Sequence, residues 1–221
     1  MASIAIDGPA GAGKSTIAKL VAKKMGYIYV DTGALYRAIA YYLLTNKIDI
    51  EDETALTKAC ESISVEIKYE QDAQQVYLNG KNVTPFLRTE ETGNMASKSS
   101  AKAPVRAALL DLQRDMAKEY NVVMDGRDIG TNVLPDAEVK IYLTASSKER
   151  ANRRYKELVE KGEEADFDKI EADIIERDER DMNRAIAPLK QADDAVLVDS
   201  SDMSIDEVVE SIMSAAHSRL S

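Results

Sequence analysis

Near the start of the chain, Gly8-Pro9-Ala10-Gly11-Ala12-Gly13-Lys14-Ser15 has the residue types and spacing to hold a polyphosphate, and it satisfies G-x-x-x-x-G-K-[ST] in full. Each residue type answers one charge. Glycines let the backbone wrap an anion with its N–H groups, and a helix beginning near Lys14 adds the positive end of its dipole. Lys14 neutralises β and γ oxygens, and the Ser15 hydroxyl is a ligand for Mg²⁺. Gly8 to Ser15, with Thr16 behind them, are therefore expected to bind the phosphates of a nucleoside triphosphate. The apolar run Ile4-Ala5-Ile6 before the loop and the helical spacing from Thr16 to Ala22 after it supply the strand–loop–helix context that this mechanism requires.

Such a loop serves kinases, switches and mechanical ATPases alike, so the rest of the chain must choose among them. Asn46-Lys47-Ile48-Asp49 and Ser100-Ala101-Lys102 imitate the guanine-reading N-K-x-D and S-A-K of GTPases. Their order is wrong: no D-x-x-G lies between the phosphate loop and Asn46, and Asn46 follows a predicted helix where a strand end is needed. The match is read as coincidence. Two other stretches point to a second anion. Asp31-Thr32-Gly33-Ala34-Leu35-Tyr36-Arg37 and Asp125-Gly126-Arg127-Asp128 each follow a predicted strand, so both belong at the carboxyl edge of the sheet, where open α/β sheets bind ligands. Asp125 is placed to hold Mg²⁺ or its waters. Arg127 and Asp128 read either as site residues or as a structural ion pair. Arg177, Asp181 and Arg184, at i, i+4 and i+7, fall on one face of a predicted helix, which taken alone reads as a solvated face laced with ion pairs.

The elements that must position these residues follow from the apolar pattern. Strands are expected at Ile4–Ile6, Tyr27–Val30, Val122–Met124, Val139–Leu143 and Ala195–Val198, with helical segments between them, including one from Ala34 to about Leu44. That alternation predicts an α/β fold with a five-stranded parallel sheet covered by helices on both faces. One region departs from it. Val65-Glu66-Ile67-Lys68-Tyr69 alternates, and Val76-Tyr77-Leu78 runs through Asn79-Gly80 into Lys81-Asn82-Val83, a hairpin signal, so residues 63 to about 102 read as a small β-containing insertion. The charge-dense segment 148–168 is either a flap over a site or a solvated helix pair.

Bulk properties narrow the function classes. The chain has 221 residues, 44% of them apolar, enough for one cored domain. A net charge of −10 argues against a nucleic-acid partner, which requires a concentrated basic surface. With Cys60 alone there is neither a disulfide framework nor a multi-cysteine metal site. His217 is read as a solvated residue of a terminal helix. No signal peptide is read at the N-terminus, and no run approaches the roughly 18 apolar residues of a spanning helix, so a cytoplasmic protein without membrane partners is expected.

Taken together, Ile6 to Ser15, Asp31 to Arg37, Asp125-Gly126-Arg127-Asp128-Ile129-Gly130-Thr131 and Glu176-Arg177-Asp178-Glu179-Arg180-Asp181 through Asn183 to Leu189 closely resemble the bacterial-type cytidylate kinases, a branch of the nucleoside monophosphate kinases. The resemblance covers essentially the whole chain. It implies a single P-loop kinase domain with a core of 1–62 and 103–221, a monophosphate-binding insertion at about 63–102 and a lid at about 148–168. It further implies phosphoryl transfer from MgATP to CMP or dCMP by a monomer. By resemblance, Arg37, Arg127 and Arg184 hold the CMP phosphate, Arg177 and Asp181 the ribose, and Ser97, Arg106 and Asp128 the cytosine. Thr32, which keeps the hydroxyl where relatives often have serine, belongs by the same resemblance to the CMP-binding set. Lid residues Arg153 and Arg154 approach the ATP phosphates, and Lys14, Arg127, Arg153 and Arg184 carry the transfer. Cytosine chemistry suits this set: its N4 amino group can donate to Asp128, whereas uracil would set an acceptor there. An acceptor phosphate with a second pKa near 6 is already largely anionic, so no general base is required. Kinases for UMP, AMP or shikimate, and a nucleotide switch without transfer, are the competing readings.

Overall fold

The structure is a computed structural model and describes residues 1–71 and 73–220. Five parallel strands form its main sheet: β1 (Ser3–Asp7), β2 (Ile28–Asp31), β6 (Val122–Gly126), β7 (Val139–Thr144) and β8 (Val196–Asp199), in the order β2-β6-β1-β7-β8. These are the five expected strands, with β2 and β8 starting one residue later than read. Both faces are covered. Alternate residues of β1 face opposite layers: Ile4 and Ile6 pack with α1 (Lys14–Met25) and α8 (Ile205–Leu220), whereas Ala5 joins Val30, Met124 and Ile129 on the other side. On that second side Leu110 and Met116 of α5 (Ala103–Glu119) close the layer.

A third core lies beside the sheet. It joins α2 (Thr32–Thr45) and α3 (Glu53–Ser62) to a three-stranded antiparallel sheet of β3 (Val65–Glu70), β4 (Ala73–Leu78) and β5 (Lys81–Asn82). The hairpin falls where the sequence placed it. Leu78 pairs with Lys81, and the intervening Asn79 and Gly80 have φ of 49° and 76°, the left-handed pair that a two-residue I′ turn needs. The region read as a β-containing insertion also holds a helix, α4 (Glu90–Ser99). The small sheet covers the open edge of β2: Tyr69 Oη donates to Tyr29 O at 2.8 Å, and the Gln74 amide exchanges hydrogen bonds with Asp31 N and O at 2.8 and 3.1 Å. An edge strand is thereby satisfied by side chains rather than by another strand.

Residues 148–168 form most of α6 (Ser147–Glu160), a turn, and the start of α7 (Phe167–Asn183), which packs on α6. One expectation is corrected here. Arg184 is not on the helical face with Arg177 and Asp181, because α7 ends at Asn183 and Arg184 is extended at φ −65°, ψ 141°. Pro188 cannot continue a helix, Ala187 has φ 48°, and Leu189 N folds back onto Asp181 O at 2.8 Å. Asn46 caps the end of α2, its side chain donating to Tyr42 O at 2.9 Å, a structural task that accounts for the GTPase-like match. No helix among the described residues is long and apolar enough to cross a membrane.

Candidate active site

Strand register brings the carboxyl ends of three strands level. Asp125 pairs with both Ile6 and Asp31, and Asp7 with Gly126. Above this edge opens a cleft of about 730 Å³, lined by nine lysines and arginines against six aspartates and glutamates. In a chain of net charge −10, that local cationic excess marks a place for anions.

The phosphate loop leaves β1 and enters α1 as its sequence predicts. Gly8, Gly11 and Gly13 have φ of 149°, 75° and 85°, and a Cβ on Gly8 would lie 1.9 Å from Leu143 O of β7. Only glycine fits there. Lys14 is buried and donates Nζ to Pro9 O at 2.6 Å; burial, then the Arg127 guanidinium, holds its pKa well below the usual lysine value. The Ser15 hydroxyl donates to Asp125 Oδ2 at 2.8 Å, bringing together the two oxygens expected near Mg²⁺. Burial, then nearby Asp31, raises the Asp125 pKa to about 6. Tyr29 Oη donates to the other Asp125 oxygen at 3.1 Å, and Thr32 Oγ1 to Asp125 O at 2.7 Å.

Opposite the loop, the second set of expected residues is brought together and cross-paired. Arg127 and Asp128 do not pair with each other. Arg127 Nε reaches Asp181 Oδ2 at 2.9 Å, and Asp128 holds Arg184 Nη2 at 2.9 Å on one oxygen and Arg106 Nη2 on the other. Ser97 Oγ donates to Asp181 Oδ1 at 3.2 Å. Ser97 and Arg106, on stretches that read as plain polar helix, are buried. Burial favours the neutral acid at Asp181, yet Arg127 and Arg177 outweigh it and hold its pKa below the usual range. Arg177 is pushed down to about 10, first by burial and then by Arg127, and its Nε is buried without a partner among the described residues. Arg37 borders the cleft, and burial lowers its pKa too.

Of the expected set, all but Gly8, Pro9 and Arg106 line the cleft. Arg153 and Arg154 do so from α6. Arg153 donates to Ser200 O at 2.7 Å and Glu149 Oε1 at 3.1 Å, with Nη1 3.9 Å from where a Gly13 Cβ would stand. Arg154 pairs with Glu157 at 2.9 Å. Several partners were not foreseen. Asp31 caps α2 by accepting from Ala34 N at 2.9 Å and also binds Arg88 at 2.7 Å. Its position before a helix was the available signal. Met203, Ile205 and Val208 add apolar side chains to the cleft lining, for which the sequence offered no signal.

A family model described as cytidylate kinase matches residues 4–218. The chain is 49% identical over 219 residues to a cytidylate kinase of Shouchella clausii (strain KSM-K16), covering 98% of this chain and 97% of that one. It is 48% identical over 212 residues to a cytidylate kinase of Bacillus cereus (strain ATCC 10987 / NRS 248), covering 96% and 94%. Among solved structures, a shikimate kinase from Bacteroides thetaiotaomicron aligns over 98% of each chain with a TM-score of 0.51 and 14% identity, a likeness of fold alone.

Proposed function

The chain belongs to the cytidylate kinase family, and from that premise we propose how its cleft divides between the two nucleotides of the reaction MgATP + CMP or dCMP → ADP + CDP or dCDP. The donor phosphates lie along Ala10 to Thr16 beneath Arg153 and Arg154, with the adenine toward Met203, Ile205 and Val208. The acceptor lies across the cleft, its phosphate on Arg37, Arg127 and Arg184, its ribose at Arg177 and Asp181, and its cytosine at Ser97, Arg106 and Asp128. Thr32, bonded to Asp125 O, supports the wall between them. Residues 63–102 form the unit that covers the acceptor, and 148–168 the lid over the donor.

The observation that carries this reading is the meeting of a complete phosphate loop and a second arginine cluster in one cleft. Two anions repel, so catalysis consists of aligning them and neutralising charge on the transferring group. Lys14 and the arginines do this with fixed cations, and the acceptor oxygen needs no base because its phosphate is already ionised. Ser15 and Asp125 fit Mg²⁺, which takes few protein oxygens and keeps water and phosphate ligands; their oxygens stand 2.8 Å apart on rigid elements. When bound, Mg²⁺ draws charge from the β and γ oxygens.

The test is ADP release from MgATP with CMP, dCMP, UMP, AMP, GMP and shikimate offered in turn. An optimum at CMP or dCMP is expected. An optimum at shikimate, or ADP release indifferent to acceptor, would overturn the assignment of the cleft.

A further inference from the structure

The backbone of Ala10, in the phosphate loop, is gripped from outside the loop. Its N–H donates to Asp178 Oδ1 at 3.2 Å, and its C=O accepts from Arg150 Nη1 at 2.7 Å. The two side chains also pair with each other, Nη1 to Oδ2 at 2.6 Å, and both are buried, with side chains 7% exposed. Arg150 is steadied in turn by donating Nε to Ala145 O at 2.9 Å, at the end of β7. Both backbone polar groups of Ala10, which belong to the two successive peptides flanking its Cα, are thus taken by residues of α6 and α7, 140 and 168 positions further along the chain.

We propose that Arg150 and Asp178 are positioning residues for the phosphoryl donor, acting on it through the backbone of Ala10. A loop of amides binds phosphate well only if the amides already converge, and Ala10 precedes Gly11, whose φ of 75° shows how freely this backbone turns. The Ala10 C=O shares its peptide plane with the Gly11 N–H, so holding that C=O, with the Ala10 N–H held in the preceding plane, fixes the direction in which the Gly11 N–H projects. Stability alone is a poor account of the pair, because taking two charges out of water costs about as much as their attraction returns. Asp178 does not itself line the cleft, so it reaches the nucleotide only through the loop and through Arg150, which does line it.

The proposal rests on Gly8 to Ser15 holding the donor, and its test separates the two. Asp178→Asn keeps the shape and an acceptor for Ala10 N–H but removes the charge that orients Arg150. Calorimetric titration with a non-hydrolysable MgATP analogue is expected to give affinity weakened by about tenfold or more, with kcat lowered, while the Kd for CMP alone stays within about twofold. Unchanged affinity for the analogue, or equal weakening toward both nucleotides, would overturn it, whatever the melting temperature does. Should that variant not fold, Arg150→Lys is read by the same criterion, since a lysine keeps the charge and lacks the fork that spans Ala10 O and Asp178. Lys14→Ala is run in parallel. If it binds the analogue like the wild type, the loop is not the donor site. If it loses binding while Asp178→Asn keeps it, only the positioning role fails.

Discussion

Lys14 stands where burial and the Arg127 guanidinium both favour its neutral form and the carboxylates of Asp125 and Asp7 favour its charged one. An incoming polyphosphate adds to the second side, so the ammonium is held by the ligand it serves. Lys14→Ala is expected to lower kcat by roughly 10² to 10³, the range for removing one fixed donor from a developing charge, measured as ADP release with CMP. In the proposed division of the cleft Arg184 serves the other anion. Its Nη2 rests on Asp128 at 2.9 Å and its Nε on Ala187 O at 2.7 Å, a fork already aimed by two acceptors. Arg184→Ala should cut kcat/KM for CMP by about 10²-fold or more while leaving the Kd for MgATP nearly unchanged. Asp128 calls for a ratio rather than a rate. Removing it also deprives Arg106 and Arg184 of their shared carboxylate, so activity falls with any acceptor. The diagnostic for base reading is the CMP to UMP ratio of kcat/KM, which should narrow by about tenfold or more in Asp128→Ala, because the carboxylate that accepts from cytosine N4 no longer opposes uracil O4. An unaltered ratio would leave Asp128 only its ion pairs.

At the scale of elements, the phosphate loop is locked between β1 and β7 by the absence of a side chain. A Cβ at Gly8 would meet Leu143 O at 1.9 Å, and that atom is backbone in the interior of the sheet and cannot swing aside. Gly162, in the turn between α6 and α7, has φ 75° and nothing within 4 Å of its Cβ position. Gly8→Ala is therefore expected to cost roughly 3 kcal/mol or more of stability, and Gly162→Ala only about 1 kcal/mol, the difference being read from urea unfolding midpoints. The elements most legible in the sequence are those whose signal is local. Parallel strands buried on both faces read as continuous apolar runs, and Asn79-Gly80 encodes its own turn. The end of α7 was hidden, because apolar and charged periodicity runs on to Arg184 while the stop is imposed by Ala187, Pro188 and a backbone bond from Leu189 to Asp181. The docking of the small sheet on β2 was equally hidden, since it depends on the Gln74 amide and the Tyr69 hydroxyl, polar tips whose partners no periodicity specifies.

Across the whole molecule, the same distinction governs the site. Asp31 to Arg37 and Asp125 to Asp128 were recognisable from motifs at strand ends, but the pairings in the cleft were not, because Asp128 meets Arg106 and Arg184, and Asp178 meets Arg150, only after distant segments pack. Packing also sets how stability depends on pH. Asp7, at the end of the central strand, accepts from Ile129 N and Gly130 N at 2.8 Å each and so ties β1 to the turn after β6. Burial raises its pKa to about 6 against the opposing pull of those two N–H groups. In the unfolded chain the group titrates near 3.8, so between these values the folded state binds more protons. The stability that Asp7 contributes is accordingly full below about 3.8 and is lost as pH rises through about 6. Carboxylates held low, such as Asp181, act in the opposite sense, so a single pH profile mixes the two. The difference between wild type and Asp7→Asn isolates one. That difference in unfolding free energy, measured by urea titration without nucleotide or Mg²⁺, should change by on the order of 3 kcal/mol between pH 4 and pH 7, the wild type losing stability relative to the variant as pH rises. Parallel profiles would mean that Asp7 ionises in the folded chain as easily as in the unfolded one, and that its two backbone bonds fully offset its burial.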